Sequence, residues 1–289
     1  MNMRLSDAVW VNKNTFLLVS VLLQTPHSIA SIFTFMDREY LSAYKARLFS
    51  FCLFMLAIFV LAWVLSPGSL MLAIISYNFY HYSSQQAGVT ALLAHNKSRT
   101  HEVWKWASSL ILMAGLFGAA IMTGPEQITV GPYQNAFYAI GIIFFTGFIG
   151  ISILLASQSK TRIGKAYIAA NTVMLITYFG FYLCNLWFYM LIIPIFVHAM
   201  TAFLFYINHN SNRNARRNIN LVSRIRNVIP VPEYILTPLV SILCAAIFIP
   251  LAAESVYSVY MAGLASVVHF YLEAIMWKKG TPHREHLHF

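Results

Sequence analysis

Long apolar stretches without charge recur along the whole chain, and they constrain its fold more than any other feature. Each is bounded by charged residues or by Gly, Pro and Asn, and each is long enough, at about 1.5 Å per helical residue, to cross a bilayer core of about 30 Å. They lie near residues 15–36, 47–65, 69–93, 104–123, 134–157, 166–184, 186–208, 234–252 and 256–277. The sequence predicts an all-α fold, a transmembrane bundle of about nine helices in which residues 1–289 form a single domain.

The composition excludes an ordinary soluble domain. Hydrophobic residues make up 59% of the chain and charged residues only 10%, against about 25% charged residues in soluble proteins. The division near Cys184 is inferred from length, because one helix from Ala166 through residue 208 would be far longer than a bilayer is thick. The three cysteines lie in or at the ends of apolar stretches, so no disulfide framework is expected.

The basic residues define a topology. With nine spans, all but two of the 19 Lys and Arg fall on one side, and the two exceptions are Arg4 and Lys13. The positive-inside rule then predicts an external N-terminus and a cytoplasmic C-terminus, in a multi-pass protein of a bacterial inner membrane. The net charge of +10 follows from this topology. The basic loop from Arg213 to Arg226 is therefore expected to contact anionic lipid and not nucleic acid, and protein partners stay open.

Four histidines lie inside the predicted spans, at nearly one depth. They are His27, His81, His198 and His269, in spans 1, 3, 7 and 9. These spans run in the same direction, and each histidine lies at the span centre or about one or two residues beyond it. At about 1.5 Å per residue, the four form one layer just to the cytoplasmic side of the midplane.

A common depth favours a shared metal ion. Polar residues inside a membrane are costly and commonly mark function. A single membrane histidine is explained as well by an interhelical hydrogen bond, but such bonds give four histidines no reason to share a plane. Neutral imidazole is a frequent ligand of iron, zinc and copper. We therefore predict that His27, His81, His198 and His269 are metal ligands.

Polar residues one turn beyond the histidines are candidates for orienting them. Gln85 follows His81 and Glu273 follows His269, each at i+4 and so on the same helical face. Ser31, four residues after His27, and Thr201, three residues after His198, hold comparable positions. A ligating histidine usually donates its second ring N–H to such a partner. Gln85 and Glu273 are the predicted catalytic residues, and whether Glu273 is itself a ligand is left open.

Other features have simpler explanations. The remaining histidines fall in predicted loops or in the tail, where solvation at the cytoplasmic surface is expected: His95, His101, His209, His283, His286 and His288. Two pairs of glycines, Gly115 with Gly118 and Gly147 with Gly150, predict close contacts between helices. Most of the aromatic residues are expected to be core or interfacial belt, with fewer lining a substrate cavity.

Four short motifs resemble the histidine positions of the Brp/Blh-type membrane β-carotene dioxygenases: Thr25-Pro26-His27, Asn78-Phe-Tyr-His81, Phe196-Val-His198 and Val268-His269. The resemblance implies a helical bundle that holds one non-haem Fe(II) on histidines and uses O₂ to cleave the central double bond of a carotenoid. The late motif of that family is His-x-x-x-His, whereas this chain has Ala202 four residues after His198. A fourth ligand would then come from His269.

The leading functional hypothesis is a membrane Fe(II) oxygenase that acts with O₂ on a lipid-soluble substrate such as a carotenoid. A transporter or metal-handling protein is the non-enzymatic alternative, although the chain has no internal repeat. Electron transfer through b-type haem is a third possibility, but stacked haems would place histidines at different depths. A di-iron lipid desaturase is disfavoured, since histidine boxes of the H-x-x-x-H and H-x-x-H-H types are absent.

Overall fold

The computed structural model describes residues 23, 25–35, 37–64, 67–123, 134–184, 186–214, 225, 228, 231–252 and 256–287. All regular secondary structure within these residues is helical, which confirms the predicted all-α class for them. The helices are α1 Thr25–Phe35, α2 Arg38–Ala43, α3 Lys45–Val64, α4 Pro67–Leu93, α5 Arg99–Thr123, α6 Gln134–Gln158, α7 Arg162–Leu183, α8 Trp187–Asn214, α9 Glu233–Ala252 and α10 Val256–Met276. A 3-10 turn, Arg284–His286, follows α10.

Apart from the start of the first segment, the helix bounds agree with the predicted segments to within six residues. The division near Cys184 is confirmed, because α7 ends at Leu183 and α8 begins at Trp187, with the Cys184 N–H donating to Gly180 O at 3.0 Å. Residues 15–22 of the first predicted segment lie outside the described residues. Helix α2 was not predicted, since it is short and polar. It begins where the Asp37 carboxylate accepts the Glu39 N–H at 2.8 Å.

Three helical segments are long and apolar enough to cross a membrane, within the part of the chain that the structure describes. They are Ala139–Gln158, Arg162–Leu183 and Phe188–Arg213. Two shorter apolar segments, Glu233–Ile247 and Ser266–Met276, lie in α9 and α10. These lengths and compositions support a membrane protein.

The described residues fall into two compact units, of which the first contains Phe79–His198. Helices α5, α6 and α7 pack against one another in this unit. The Trp104 indole N–H donates to Ser152 Oγ at 3.0 Å, which links α5 to α6. Thr161 caps α7 by accepting the Gly164 N–H at 2.9 Å, and its hydroxyl donates to Leu93 O at the end of α4.

One of the two predicted glycine contacts is present. A Cβ built on Gly115 would lie 2.5 Å from the Tyr178 hydroxyl, and one on Gly118 would lie 2.7 Å from the Tyr182 hydroxyl. These glycines therefore let α7 approach α5 closely. Gly147 and Gly150 have no described atom within 4 Å of such a Cβ. The prediction of a close contact at that pair is wrong for the described residues.

The second unit contains the described residues up to Asn78 together with Ala199–Phe289. Helix α1 packs against α9 and α10, which also contact each other. A buried ion pair fixes the start of α2, where Arg213 at the end of α8 lies 2.6 Å from Asp37. The adjoining core cluster is built from α1, α2, α8 and α10 and includes Phe35, Tyr40, Phe203, Tyr206 and Met276. Burial of these side chains fixes the helices that carry His27 and His269.

Candidate metal centre

His269 lies on α10, fully buried, with its proton position set by a serine on α1. Its Nδ1 is 2.8 Å from Ser31 Oγ. The Ser31 hydroxyl donates its own hydrogen to Ser28 O at 2.6 Å, so it can only accept from the imidazole. We assign the ring hydrogen to Nδ1 on this basis. Nε2 of His269 therefore carries a lone pair that can bind a metal ion.

Glu273 lies one turn beyond His269 and is also buried. Its Oε2 is 3.8 Å from His269 Nε2, and its Oε1 accepts a hydrogen bond from the Tyr206 hydroxyl. The distance from Oε2 is too long for a hydrogen bond, and the ring hydrogen is on the other nitrogen. Ser31, and not Glu273, lies at hydrogen-bond distance from the ring of His269, and the role of Glu273 at the site stays a prediction. Glu273 Oε2 and His269 Nε2 are near enough that both could bind one metal ion.

His27 is the second imidazole of this unit, and its proton position is also defined. Its Nδ1 lies 2.8 Å from Leu23 O, and because a carbonyl oxygen can only accept, Nδ1 carries the hydrogen. The edge of the His27 ring packs on His269, with ring centroids 4.6 Å apart and planes at 78°. With the hydrogen of each ring on Nδ1, Nε2 is the nitrogen of each ring that could bind a metal ion.

The first unit contains the other two predicted ligands. The rings of His81 and His198 lie edge to face, with centroids 4.9 Å apart, and each offers a ring nitrogen within 4.8 Å of the other. Both side chains are buried. Tyr82 packs against His198, with ring centroids 4.4 Å apart. Each unit thus pairs two of the four histidines that were predicted from their depth.

Gln85 lies one turn beyond His81, as predicted. Its Oε1 is buried, and no described residue donates a hydrogen bond to it. The neighbouring Gln86 accepts a hydrogen bond from the Tyr167 hydroxyl and belongs to the packing between α4 and α7. The orienting role of Gln85 stays a prediction.

Tyr206 is the site residue that the sequence analysis missed. It is fully buried on α8 and donates to Glu273 on α10. One of 16 tyrosines in the chain, it lies outside the predicted i+4 positions. A polar residue at membrane depth signals a function, but a tyrosine in an apolar helix does so only weakly, because its ring also packs as an apolar body.

Three histidines assigned to the solvated surface are in fact buried: His101, His209 and His283. The His101 Nε2–H donates to Ala87 O at 2.8 Å. His283 stacks on Tyr40 with ring centroids 3.6 Å apart, and its Nδ1 lies 3.0 Å from the Tyr44 hydroxyl. Burial holds the pKa of His283 well below its usual value of 6.5. The tail is therefore packed against α2.

The other three histidines that were predicted at the surface differ in their exposure. His95 is exposed, as predicted, and has a positive φ of 48°. His286 is partly buried, with its ring centroid 5.6 Å from that of His209. His288 lies outside the described residues.

The chain matches no protein-family model, no curated protein and no solved structure. The resemblance to the Brp/Blh-type dioxygenases stays a prediction from short motifs.

Proposed function

We propose that the protein is a multi-pass membrane metalloenzyme in which buried imidazoles hold one metal ion for the oxidation of a lipid-soluble substrate. The observation that carries the proposal is the approach of His269 Nε2 to Glu273 Oε2 at 3.8 Å, with the ring hydrogen held on Nδ1 by Ser31. Two electron-pair donors that face each other in a buried place are stabilised by a cation between them. Imidazole nitrogen and carboxylate oxygen are common ligands of Fe(II) and Zn(II).

The proposal assigns His27, His81, His198 and His269 to one ion. Two observations support it. The nine-span arrangement predicted from the sequence gives the four residues one membrane depth, and each unit by itself pairs two of them, with ring centroids 4.6 Å and 4.9 Å apart. A buried neutral histidine can bind a metal through one ring nitrogen, so two neighbouring histidines can supply two ligands to the same ion.

Iron is the proposed ion, since histidines with a carboxylate are typical ligands of non-haem Fe(II) oxygenases. Such an ion, when bound, supplies the activation of O₂. The chain's own residues position the ligands and exclude water. Tyr82 packs on His198, and the buried Phe270 packs beside His269, with ring centroids 5.3 Å apart. These apolar walls suit a polyene such as a carotenoid, the substrate class that the resemblance implies.

We further propose the nine-span topology, in a bacterial inner membrane, with the N-terminus outside and the C-terminus in the cytoplasm. The agreement between helix bounds and predicted segments supports it, as do the three membrane-length apolar segments and the one-sided distribution of Lys and Arg. Lipid is the surrounding partner. A single transmembrane domain is part of the same proposal.

The pairing within each unit argues against b-type haem. Two axial imidazoles bind the iron from opposite faces of the porphyrin, so at metal–nitrogen distances of about 2 Å their nitrogens lie about 4 Å apart and their ring centroids farther. The centroids of His27 and His269 are 4.6 Å apart, with the rings edge to face. Neither this pair nor His81 with His198 leaves room for a macrocycle between its rings.

Metal content is the first test. The protein is purified in detergent, incubated with Fe(II) under anaerobic conditions, desalted and analysed for bound metal, with His81→Ala, His269→Ala and His95→Ala beside the wild type. One ion per chain is expected in the wild type and in His95→Ala, whose exposed ring is the control. His101 is unsuitable as a control because it is buried and hydrogen-bonded.

The variants also show whether the two pairs share an ion. A shared ion requires that His81→Ala and His269→Ala each lose nearly all bound iron. If each pair bound its own ion, either variant would keep the ion of the other pair, and the one-ion proposal would be wrong. A wild-type protein that binds neither iron nor zinc would overturn the metal site as a whole.

The oxidative function is tested separately on iron-loaded protein. β-Carotene is supplied in detergent with O₂, and loss of the polyene absorption and O₂ uptake are followed together. Coupled loss of both in the wild type, absent in His269→Ala, is expected. A protein that binds one iron but consumes neither carotenoids nor other polyenes would favour the metal-handling alternative, for which a histidine and a carboxylate inside the membrane are also suited.

A further inference from the structure

Tyr206 and Glu273 form a buried contact between α8 and α10 whose effect on the proposed metal site is specific. The Tyr206 hydroxyl donates to Oε1 of Glu273, while Oε2 of the same carboxylate lies 3.8 Å from His269 Nε2. The two oxygens therefore have different surroundings. One accepts the hydrogen bond of the Tyr206 phenol, and the other lies toward His269 Nε2.

The ring of Tyr206 is fixed by its own packing. It is fully buried in a core cluster that includes Tyr40, Phe203 and Met276. Trp277 packs against it, with ring centroids 5.7 Å apart. A buried aromatic ring in dense packing cannot swing away without opening a cavity. Its hydroxyl is therefore a fixed donor to Glu273.

The consequence concerns how many coordination positions Glu273 fills. A carboxylate oxygen that accepts a strong hydrogen bond is a poorer metal ligand than the other oxygen, so the hydrogen bond favours coordination through one oxygen over chelation through both. Hydrogen bonds to a carboxylate are charge-assisted and about twice as strong as neutral ones. Glu273 would therefore bind through Oε2 alone while Tyr206 holds Oε1.

We propose that Tyr206 is a positioning residue that keeps Glu273 a one-oxygen ligand and so keeps a coordination position open for an exogenous small ligand such as O₂. The inference rests on the proposed metal site and adds a role to it. It also explains why a tyrosine and not a phenylalanine occupies this apolar place, since a buried phenol requires an acceptor.

The experiment uses Co(II) as the metal and azide as the small ligand, in full-length protein in detergent. Wild type, Tyr206→Phe and Tyr40→Phe are compared. Tyr40 is the matched control, because it is also fully buried in the same cluster but its hydroxyl contacts His209 at 2.9 Å and not Glu273. Bound Co(II), the intensity of its visible absorption bands and the affinity for azide are measured for each protein.

In Tyr206→Phe we expect Co(II) to stay bound, the visible bands to weaken as the coordination number rises, and azide affinity to fall about tenfold or more, the order of an outer-ligand effect. Tyr40→Phe should match the wild type. Unchanged bands and azide affinity in Tyr206→Phe would overturn the inference. Complete loss of Co(II) from a folded Tyr206→Phe protein would also overturn it, since Tyr206 would then be needed for binding itself.

A measurement on the wild-type protein keeps the inference testable even if Tyr206→Phe does not fold. The infrared difference spectrum on Co(II) binding contains the antisymmetric and symmetric stretches of the carboxylate that binds the ion, which are identified by their shift when the glutamates are labelled with ¹³C. A wide separation of the two bands is expected for one-oxygen binding, and a narrow separation would overturn the inference. If the wild type binds no Co(II), the proposed metal site fails, whereas a Co(II) protein with a chelating Glu273 contradicts only the role of Tyr206.

Discussion

Ser31 on α1 accepts the Nδ1–H of His269 on α10 at 2.8 Å, across 238 positions of sequence. This bond joins two helices that pack in the same unit, and it fixes which nitrogen of His269 is available to a metal. Its direction follows from the Ser31 hydroxyl, which donates to Ser28 O. A serine on one helix thereby prepares a histidine on another for coordination.

Ser31→Ala should weaken metal binding while leaving the protein folded. The substitution removes the acceptor of the His269 Nδ1–H, so the ring can rotate or move its hydrogen to Nε2. Loss of such an orienting partner typically lowers metal affinity about 10 to 100-fold. Titration with Co(II) measures the effect. Ser50→Ala is the control, because Ser50 is exposed and bonds only its own helix, at Ala46 O, and equal affinities in the two variants would remove Ser31 from the site.

Glu273→Gln should abolish or nearly abolish metal binding. The carboxylate oxygen that faces His269 Nε2 at 3.8 Å is then replaced by part of a neutral amide, which is a poor ligand beside imidazoles. Metal content of the purified variant is the measurement. A decrease of only about 10 to 100-fold in affinity would place Glu273 outside the ligands. Full metal content with unchanged oxidative activity would show that Glu273 has no role in the site, and full content with loss of transport would indicate a proton carrier.

The features that the sequence predicts are those that are set within one helix, such as its length and the depth of a residue along it. Apolar length fixes the helix bounds, including the division at Cys184, and counting from span centres groups His27, His81, His198 and His269. Contacts between helices depend on side-chain packing that no spacing encodes. The sequence therefore could not show that Ser31 serves His269 and not His27, nor that Tyr206 reaches Glu273.

The histidines outside the predicted layer illustrate the same limit. His209 and His283 were assigned to the surface because they fall in a predicted loop and in the tail. In the structure both are fully buried, since aromatic side chains of α2 fold over them, as the stacking of Tyr40 on His283 shows. Short amphiphilic segments such as α2 carry too few residues for a periodic signal.

Gly115→Ala should destabilise the protein, whereas Gly147→Ala should not. A methyl group at Gly115 would meet the Tyr178 hydroxyl at 2.5 Å. The Tyr178 side chain is buried, and its hydroxyl donates to Leu112 O at 2.7 Å. Overpacking of this kind costs about 1–3 kcal/mol. Gly147 has no described atom within 4 Å of the new Cβ. Thermal unfolding in detergent compares the two, and equal midpoints would contradict the close approach of α5 and α7.

Reporter fusions test the topology. A reporter after Phe289 should be cytoplasmic and one at Met1 should be outside, because all but two of the Lys and Arg lie on the side that the nine-span arrangement makes cytoplasmic. An intermediate fusion near Lys160, between α6 and α7, should also be cytoplasmic. Both termini on one side would rule out an odd number of spans, and an external Lys160 fusion would reverse the orientation.

His283 should make the protein less stable in mild acid. Its pKa is held well below 6.5 in the folded state, chiefly by burial, with the neighbouring His209, Arg213 and His286 also opposing protonation. The unfolded chain then binds a proton as the pH falls below about 6.5 and the folded chain does not. The contribution of neutral His283 to the free energy of unfolding is therefore fully present above that pH. Below it, the contribution is lost at up to about 1.4 kcal/mol per pH unit, until the folded pKa is reached.

Unfolding midpoints of wild type and His283→Gln between pH 8 and pH 5 measure this effect. Glutamine keeps a donor and an acceptor for Thr34 O and the Tyr44 hydroxyl, which lie 3.4 Å and 3.0 Å from the His283 ring nitrogens, but it cannot titrate. The variant should be less stable at pH 8, because it loses the stacking on Tyr40. Its midpoint should nevertheless fall less steeply below pH 6.5 than that of the wild type. Parallel slopes for the two proteins would mean that His283 is protonated in the folded state, and that the tail does not exclude water from its ring.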